Sequence, residues 1–207
     1  MRSLTYHVAV SIDGYIADPD GSFDAFAQTG DHIDALIHDV PETLPGHVLS
    51  ALGVDATNDT YDTVLMGWNT FAVGLPHGID DPYPHLRQYV FSRTRPPGDV
   101  GGDVHLVADD PIELVRELKS ESSTKDIWLC GGGALAGALR DEIDRLVLKV
   151  NPVLLGSGIP LFEPEEATSR PFVLESTRSF DTGVHMASYR AGSRRETRRT
   201  IDIQRLD

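Results

Sequence analysis

Apolar and polar residues alternate at the start of the chain: Leu4, Tyr6, Val8, Val10 and Ile12 against Thr5, His7, Ala9, Ser11 and Asp13. Period two predicts a strand with one apolar face. Asp13-Gly14 and Asp18-Pro19-Asp20-Gly21 then predict turns, with Pro presetting φ and Gly accepting positive φ. From Asp31 to Gly53 the apolar residues Ile33, Leu36, Ile37, Val40, Val48, Leu49 and Leu52 fall at helical spacing, interrupted by Pro41 and Pro45, so two short helices are expected. Thr63 to Met66 is a short apolar run ending at Gly67, which suits a strand buried on both faces with a helix just after it.

Tyr89 to Phe91 and Val104 to Val107 read as further strands, separated by the turn-rich Arg95-Pro96-Pro97-Gly98. A helix follows, with Asp110 as N-cap, Pro111 at the first helical position and Glu113 completing a start that resembles a capping box. Asp126 to Cys130 is another strand, running into Gly131-Gly132-Gly133 and a small-residue helix from Ala134 to Leu139. Strand and helix in alternation predict an α/β fold with mostly parallel central strands. The pattern then changes: Leu146–Val150, Phe172–Phe180 and Val184–Tyr189 are strands, and Asp181-Thr182-Gly183 predicts the turn of an antiparallel hairpin on the sheet edge. Residues 1–190 form one domain in this reading. Residues 191–207 form an Arg-rich tail, with Arg194, Arg195, Arg198 and Arg199 before the alternating Ile201 and Ile203, read as a solvated tail or an added edge strand.

Composition narrows the classes. With 32 Asp plus Glu against 18 Lys plus Arg, a net charge of −14 argues against nonspecific nucleic-acid binding, which needs surplus cations. Small anions would have to be held by a few placed Arg residues and by backbone N–H groups. The lone Cys130 excludes a disulfide framework and a Cys-rich zinc site, and is expected as a small buried strand residue in a cytoplasmic protein. No stretch reaches the roughly 20 apolar residues of a membrane span, and the start lacks the marks of a signal peptide. The His residues show no metal-ligand spacing, so no metal site is expected.

Three strand-to-helix or strand-to-loop junctions carry candidate chemistry. Gly131-Gly132-Gly133 lets backbone approach a pyrophosphate, or serves simply as a tight connection. Gly67 with Thr70 is a second junction, able to offer a hydroxyl to an anion, and Ser92-Arg93-Thr94 is a third, whose guanidinium suits a phosphomonoester or stands free in solvent. All three lie at C-terminal ends of predicted strands, the side on which open α/β sheets bind ligands. Two glycine junctions and one Arg junction match a dinucleotide with an extra phosphate, which points to NADPH.

These segments resemble the dihydrofolate-reductase-like superfamily, and within it the reductase domain of riboflavin biosynthesis and its stand-alone relatives. The likeness is carried by Val10-Ser11-Ile12-Asp13-Gly14-Tyr15-Ile16-Ala17, Leu65-Met66-Gly67 with Thr70, Val90-Phe91-Ser92-Arg93-Thr94, Leu129-Cys130-Gly131-Gly132-Gly133-Ala134-Leu135, and Pro152 to Phe162 around Gly156-Ser157-Gly158. It implies a three-layer α/β/α fold and NADPH as cofactor. Gly131, Gly132, Gly133, Ala134 and Leu135, joined by Gly67 and Thr70, would hold the pyrophosphate. Ser92, Arg93 and Thr94 would hold the adenosine 2′-phosphate, and Ala9, Ile16 and Ala17 would receive the carboxamide. The substrate would lie against Ser11, Asp13, Gly156, Ser157 and Gly158, with Asp13 as substrate ligand, proton relay or turn residue.

The implied reaction is that of 5-amino-6-(5-phosphoribosylamino)uracil reductase, and a homodimer is expected, motivated by the apolar edge segment Leu146–Val150 and the hairpin Phe172–Tyr189. Trp68 stands where many relatives carry an Arg. Folate itself is not expected as substrate: the buried acid that protonates pterin has only Asp31 and Asp34 as nearby candidates. The zinc-deaminase signature of the bifunctional riboflavin enzyme is absent. The competing readings are a nucleotide-binding regulatory module without turnover, and an interaction protein whose glycine turns are structural.

Overall fold

The local signals place the elements of this computed structural model, which describes residues 1–163 and 169–192. In chain order they are β1 (Leu4–Ser11), β2 (Tyr15–Ala17), α1 (Asp31–Asp39), α2 (Gly46–Leu52), β3 (Tyr61–Gly67), α3 (Trp68–Ala72), β4 (Arg87–Phe91), β5 (Val104–Val107), α4 (Pro111–Ser120), β6 (Asp126–Gly131), α5 (Gly133–Ala138), β7 (Arg145–Asn151), β8 (Ile159–Pro160), β9 (Phe172–Ser179) and β10 (His185–Ala191). Helix α1 stops two residues before Pro41, and α2 runs from Pro45 to a left-handed Gly53 at φ 65°. Asp110 caps α4 by accepting from the Ile112 N–H at 2.8 Å. The predicted Arg-rich tail lies outside the described residues from position 193 onward.

The main sheet has the order β5-β4-β3-β6-β1-β7-β10-β9. Every neighbouring pair is parallel except those made by β10, which runs antiparallel to β7 and β9. Helices α4 and α5 cover one face over Leu4, Tyr6, Leu65, Ile127, Leu129 and Leu146. On the other face, two separate clusters form. One gathers Val64, Met66, Phe71, Tyr83, Val90 and Trp128, and the other gathers Ala35 of α1 with Phe180, Val184 and Met186. No helix among the described residues is long and apolar enough to cross a membrane.

Two expectations change. β1 is not one-sided: Thr5, His7 and Ser11 are as buried as Leu4 and Tyr6, because β1 sits at the centre of a sheet covered on both faces, whereas Ile12 lies past the strand end and is exposed. Leu146–Val150, expected as an apolar edge and offered as a reason for dimerisation, belongs to β7, which is enclosed between β1 and β10. The edge strand on this side of the sheet is β9, where Leu174 is exposed.

Candidate functional site

The site begins where two neighbouring strands part. β1 pairs with β6 only from Leu4↔Ile127 to Tyr6↔Leu129. Beyond that point β1 stays with β7 as far as Ser11↔Asn151, while β6 stays with β3 to Gly131. The His7 carbonyl, turned toward β6, accepts from the Trp128 indole Nε1–H at 2.9 Å. Backbone groups of a strand alternate in direction, so the Ala9 N–H and C=O point the same way, into the opened crevice at the carboxyl ends of the strands.

Glycines line the β6 side of this crevice. Gly131 has φ 142°, which favours glycine, and its peptide bond to Gly132 is cis. A Cβ added at Gly67 would lie 3.5 Å from Gly132 N, and Cβ atoms added at Gly131 and Gly132 would lie 3.6 and 3.4 Å from Thr70 Oγ1. Ile16 Cδ1 stands 3.9 Å from the one at Gly132. Gly67, Thr70, Gly131, Gly132 and Ile16, from three separate segments, therefore share one small space. The first backbone bond of α5 is from Ala136 N to Gly132 O at 2.9 Å, which leaves the N–H groups of Gly133, Ala134 and Leu135 without an acceptor among the described residues. With six residues in α5, what it offers an anion is these N–H groups and not a long helix dipole.

Gly133 has a second reason to be glycine. A Cβ there would overlap the Pro160 carbonyl oxygen, and the Gly133 carbonyl accepts from Glu163 N at 3.0 Å. Gly158 likewise faces the Ala17 carbonyl too closely for any side chain. Both bring the 156–163 segment down against β2 and α5, and β8 pairs with β2 antiparallel.

The Arg-bearing junction sits one strand away, since Gly67 is in register with Phe91. Ser92 N donates to Val107 O at 2.9 Å and Ser92 Oγ accepts from Thr94 N at 3.3 Å. Arg93 is exposed and makes no hydrogen bond or ion pair with a described residue. Arg95, missed in the sequence, lies with its guanidinium 4.6 Å over the Trp68 ring and 3.7 Å from Asp99. The signal for it was Trp68 itself, an aromatic face beside the glycine junction and able to seat a cation.

Asp13 anchors a loop. Its Oδ1 accepts from Ser11 Oγ at 2.6 Å and from Leu155 N at 3.2 Å, and its Oδ2 accepts from Gly156 N at 2.7 Å. Ser11 Oγ also accepts from Tyr15 N at 2.9 Å. The Ser11 hydroxyl, and after it the Gly156 N–H, hold the Asp13 carboxyl below the usual carboxylate range. An ionised group with both oxygens engaged is a poor proton donor at neutral pH, so Ser11 and Asp13 fix the Gly156 loop to the β1–β2 turn. Gly156 and Ser157 remain exposed at the loop tip. The two acids near α1 are elsewhere: Asp31 accepts from Asp181 N at 2.8 Å, holding the hairpin turn, and Asp34 lines a surface groove with His38 and Arg178.

Between the two clusters on the α1 face lies a polar floor that sequence reasoning passed over. His7 is buried and both ring nitrogens lack partners; burial first, then the Lys149 charge, pushes it down to about 3. Lys149 is in register with Ala9 on one side and Met186 on the other, and burial lowers its ammonium. Cys130 is pushed up to about 11 by burial, against a hydrogen bond with Tyr83 that lowers it. The available signal was two bases at inward positions of central strands.

Known proteins agree with this architecture. The sequence profile of the RibD C-terminal domain family matches residues 2–186. "Uncharacterized protein YwjB" of Bacillus subtilis (strain 168) is 30% identical over 195 residues, 92% of this chain and 99% of that protein. "Uncharacterized protein YyaP" of the same organism is 27% identical over 202 residues, 91% of this chain and 94% of that protein. Among solved structures, a putative riboflavin biosynthesis protein from Shewanella sp. PV-4 superposes with a TM-score of 0.67 at 24% identity, over 93% of this chain and 100% of that one. A diaminohydroxyphosphoribosylaminopyrimidine deaminase/5-amino-6-(5-phosphoribosylamino)uracil reductase from Thermotoga maritima gives 0.57 at 15% identity, over 92% of this chain and 57% of that one. The three-layer α/β/α arrangement is thus the dihydrofolate-reductase-like fold of riboflavin-type reductases.

Proposed function

Because the chain belongs to the RibD C-terminal domain family, we propose that it is an NADPH-dependent reductase acting on a small heteroaromatic or sugar-linked substrate, similar to the aminopyrimidine reductases of riboflavin biosynthesis. The observation that carries this reading is the convergence of Gly67, Thr70, Gly131, Gly132 and Ile16 beside the open backbone of Ala9. A dinucleotide fits these residues. The glycine pair is a cradle that a Cβ would fill, and the free N–H groups of Gly133, Ala134 and Leu135 are donors for pyrophosphate oxygens. Thr70 adds a hydroxyl from the β3 side, Ala9 offers a donor and an acceptor to a carboxamide, and Arg93, with Ser92 and Thr94, offers the 2′-phosphate site.

When bound, the dinucleotide supplies hydride; the protein's part is to place it. Ser11 and Asp13 tie the Gly156 loop to the β1–β2 turn, and Gly158 and Gly133 seat that segment against Ala17 and α5. Calorimetric titration with NADPH and NADH, on wild type and Arg93→Ala, tests the reading. NADPH should bind more tightly, and the preference should fall by about 1.5–3 kcal/mol, a charged hydrogen bond, in the variant. Absence of binding by either nucleotide would overturn it.

A further inference from the structure

The chain has three lysines, and two of them are paired in the ordinary way. Lys119 lies 2.8 Å from Asp144 and 3.7 Å from Glu142, and Lys125 lies 3.4 Å from Asp59. The Lys149 ammonium makes no ion pair or hydrogen bond with any described residue, although 32 acids are present in the chain. Its position explains the isolation. It stands on β7 at the centre of the sheet, across from the small Ala9, in the gap between the Trp128 cluster and the α1 cluster, where Ala9, Cys130 and Lys149 all keep partial exposure. The titratable groups its charge acts on are His7 of β1 and Cys130 of β6, and neither is an anion at neutral pH.

A half-buried ammonium without a counter-ion is costly, and this one opens onto the crevice that Ala9 lines. We propose that Lys149 is the substrate-facing group of this cleft, holding and protonating the oxygen of a small carbonyl compound that lies against Ala9. The proposal rests on the reading that Ala9 receives the nicotinamide. An ammonium only donates, so the ligand must supply the acceptor, and a carbonyl oxygen gains negative charge during reduction, which strengthens the contact in the transition state. As the carbonyl carbon takes up hydride from the reduced nicotinamide dinucleotide, its oxygen takes a proton from Nζ, giving the alcohol, and water returns a proton to the amine. Burial lowers the Lys149 ammonium, which makes that proton easier to give. Neutral His7, with one donor and one acceptor nitrogen free, borders the same floor.

Reductive methylation with isotope-labelled formaldehyde, followed by mass spectrometry, reads the three lysines separately. In the free protein Lys149 should react about tenfold faster than salt-bridged Lys119, since only an unprotonated, reachable amine reacts. Saturating NADPH should protect Lys149 and leave Lys125 unchanged. Lys149 reacting as slowly as Lys119, or unprotected while calorimetry shows NADPH bound, overturns the proposal. Calorimetry showing no nucleotide bound overturns the cofactor reading instead, and the free-protein rates still decide whether Lys149 faces the cleft.

With phenanthrenequinone and diacetyl as probes, Lys149→Met should bind NADPH as wild type does yet lose about a hundredfold in kcat, the usual weight of a general acid. Lys149→Arg should keep KM and lose kcat, because guanidinium holds its proton. Wild-type kcat in Lys149→Met, or a wild-type protein that reduces neither probe, overturns the assignment.

Discussion

Replacing Gly132 and Gly133 separately by Ala distinguishes a glycine kept for a ligand from one kept for packing. At Gly132 the backbone is extended, with φ −95° and ψ −164°, which alanine adopts freely. An added methyl there meets Thr70 Oγ1 at 3.4 Å and Ile16 Cδ1 at 3.9 Å and no other atom within 4 Å. The fold should therefore tolerate Gly132→Ala to within about 0.5–1 kcal/mol. In the proposed complex the same methyl fills the space from which a pyrophosphate oxygen would reach the first-turn N–H groups of α5. Loss of one such charged hydrogen bond, about 1.5–3 kcal/mol, is roughly ten- to hundredfold in Kd.

At Gly133 the order reverses. The methyl overlaps the Pro160 carbonyl oxygen and lies 3.5 Å from Glu163 N, so two pieces of backbone must separate, at about 1–3 kcal/mol. For a domain of this size that lowers Tm by roughly 2–4 °C per kcal/mol. Thermal melts and NADPH calorimetry on both variants make the comparison. Wild-type affinity in Gly132→Ala would refute the placement of the dinucleotide on that glycine, and a wild-type melt in Gly133→Ala would refute the packing argument.

Three further outcomes are expected. His7 resists protonation down to about 3 while an unfolded histidine titrates near 6.5, so its stabilising effect is complete above pH 6.5 and drains below it. At roughly 1.4 kcal/mol per pH unit, about 2–3 kcal/mol should be lost between pH 6.5 and 4.5; urea titrations of His7→Met should lose that slope, and an unchanged slope refutes the assignment. Arg2→Met removes the fully buried guanidinium that Asp62 and Glu121 share, leaving Glu121 to Arg87 alone. Since both acids are about a third exposed, the cost should fall to roughly 2–3 kcal/mol, below that of a wholly buried pair, and a urea midpoint equal to wild type would refute it. Asp13→Asn should speed amide exchange at Leu155 and Gly156, whose N–H groups it accepts from, without altering the melt; unchanged exchange would remove its anchoring role.

Much of the fold was legible because its cues are local. Pro41 and Pro45 broke the helices, Asp110 capped α4, Gly183 turned the hairpin and the Gly-terminated runs ended β3 and β6. What depended on strand order was not. Alternation in β1 is the same whether its polar face meets water or a second layer, so burial of Thr5 and His7 followed only from β1 lying between β6 and β7. Leu146–Val150 read as an edge for the same reason. The glycine run was legible as a close approach, but its division into Gly132, facing Thr70 and Ile16 without overlap, and Gly133, facing Pro160, depends on a segment some 30 residues further along the chain. Lys149 was invisible because nothing in Leu146–Val150 says which strand stands beside it.

The two ends of the sheet handle charge in different ways, and that contrast supports the proposed site independently of the glycines. At the amino ends of the strands, Arg2 is shared between Asp62 and Glu121, Arg87 closes on the same Glu121 at 2.6 Å, and Lys119 stands between Asp144 and Glu142. At the carboxyl ends, Arg93 and the Lys149 ammonium have no carboxylate among the described residues, while Arg95 over Trp68 faces Asp99 at 3.7 Å and Asp13 is occupied by a hydroxyl and two backbone N–H groups. In a chain of net charge −14 unpaired cations do not arise from a shortage of acids. Long-range attraction of an anion is weak here, since the overall field opposes it. Binding of the proposed dinucleotide would therefore rest on short-range donors, and Arg93, Thr70 and the first N–H groups of α5 lie along the carboxyl edge.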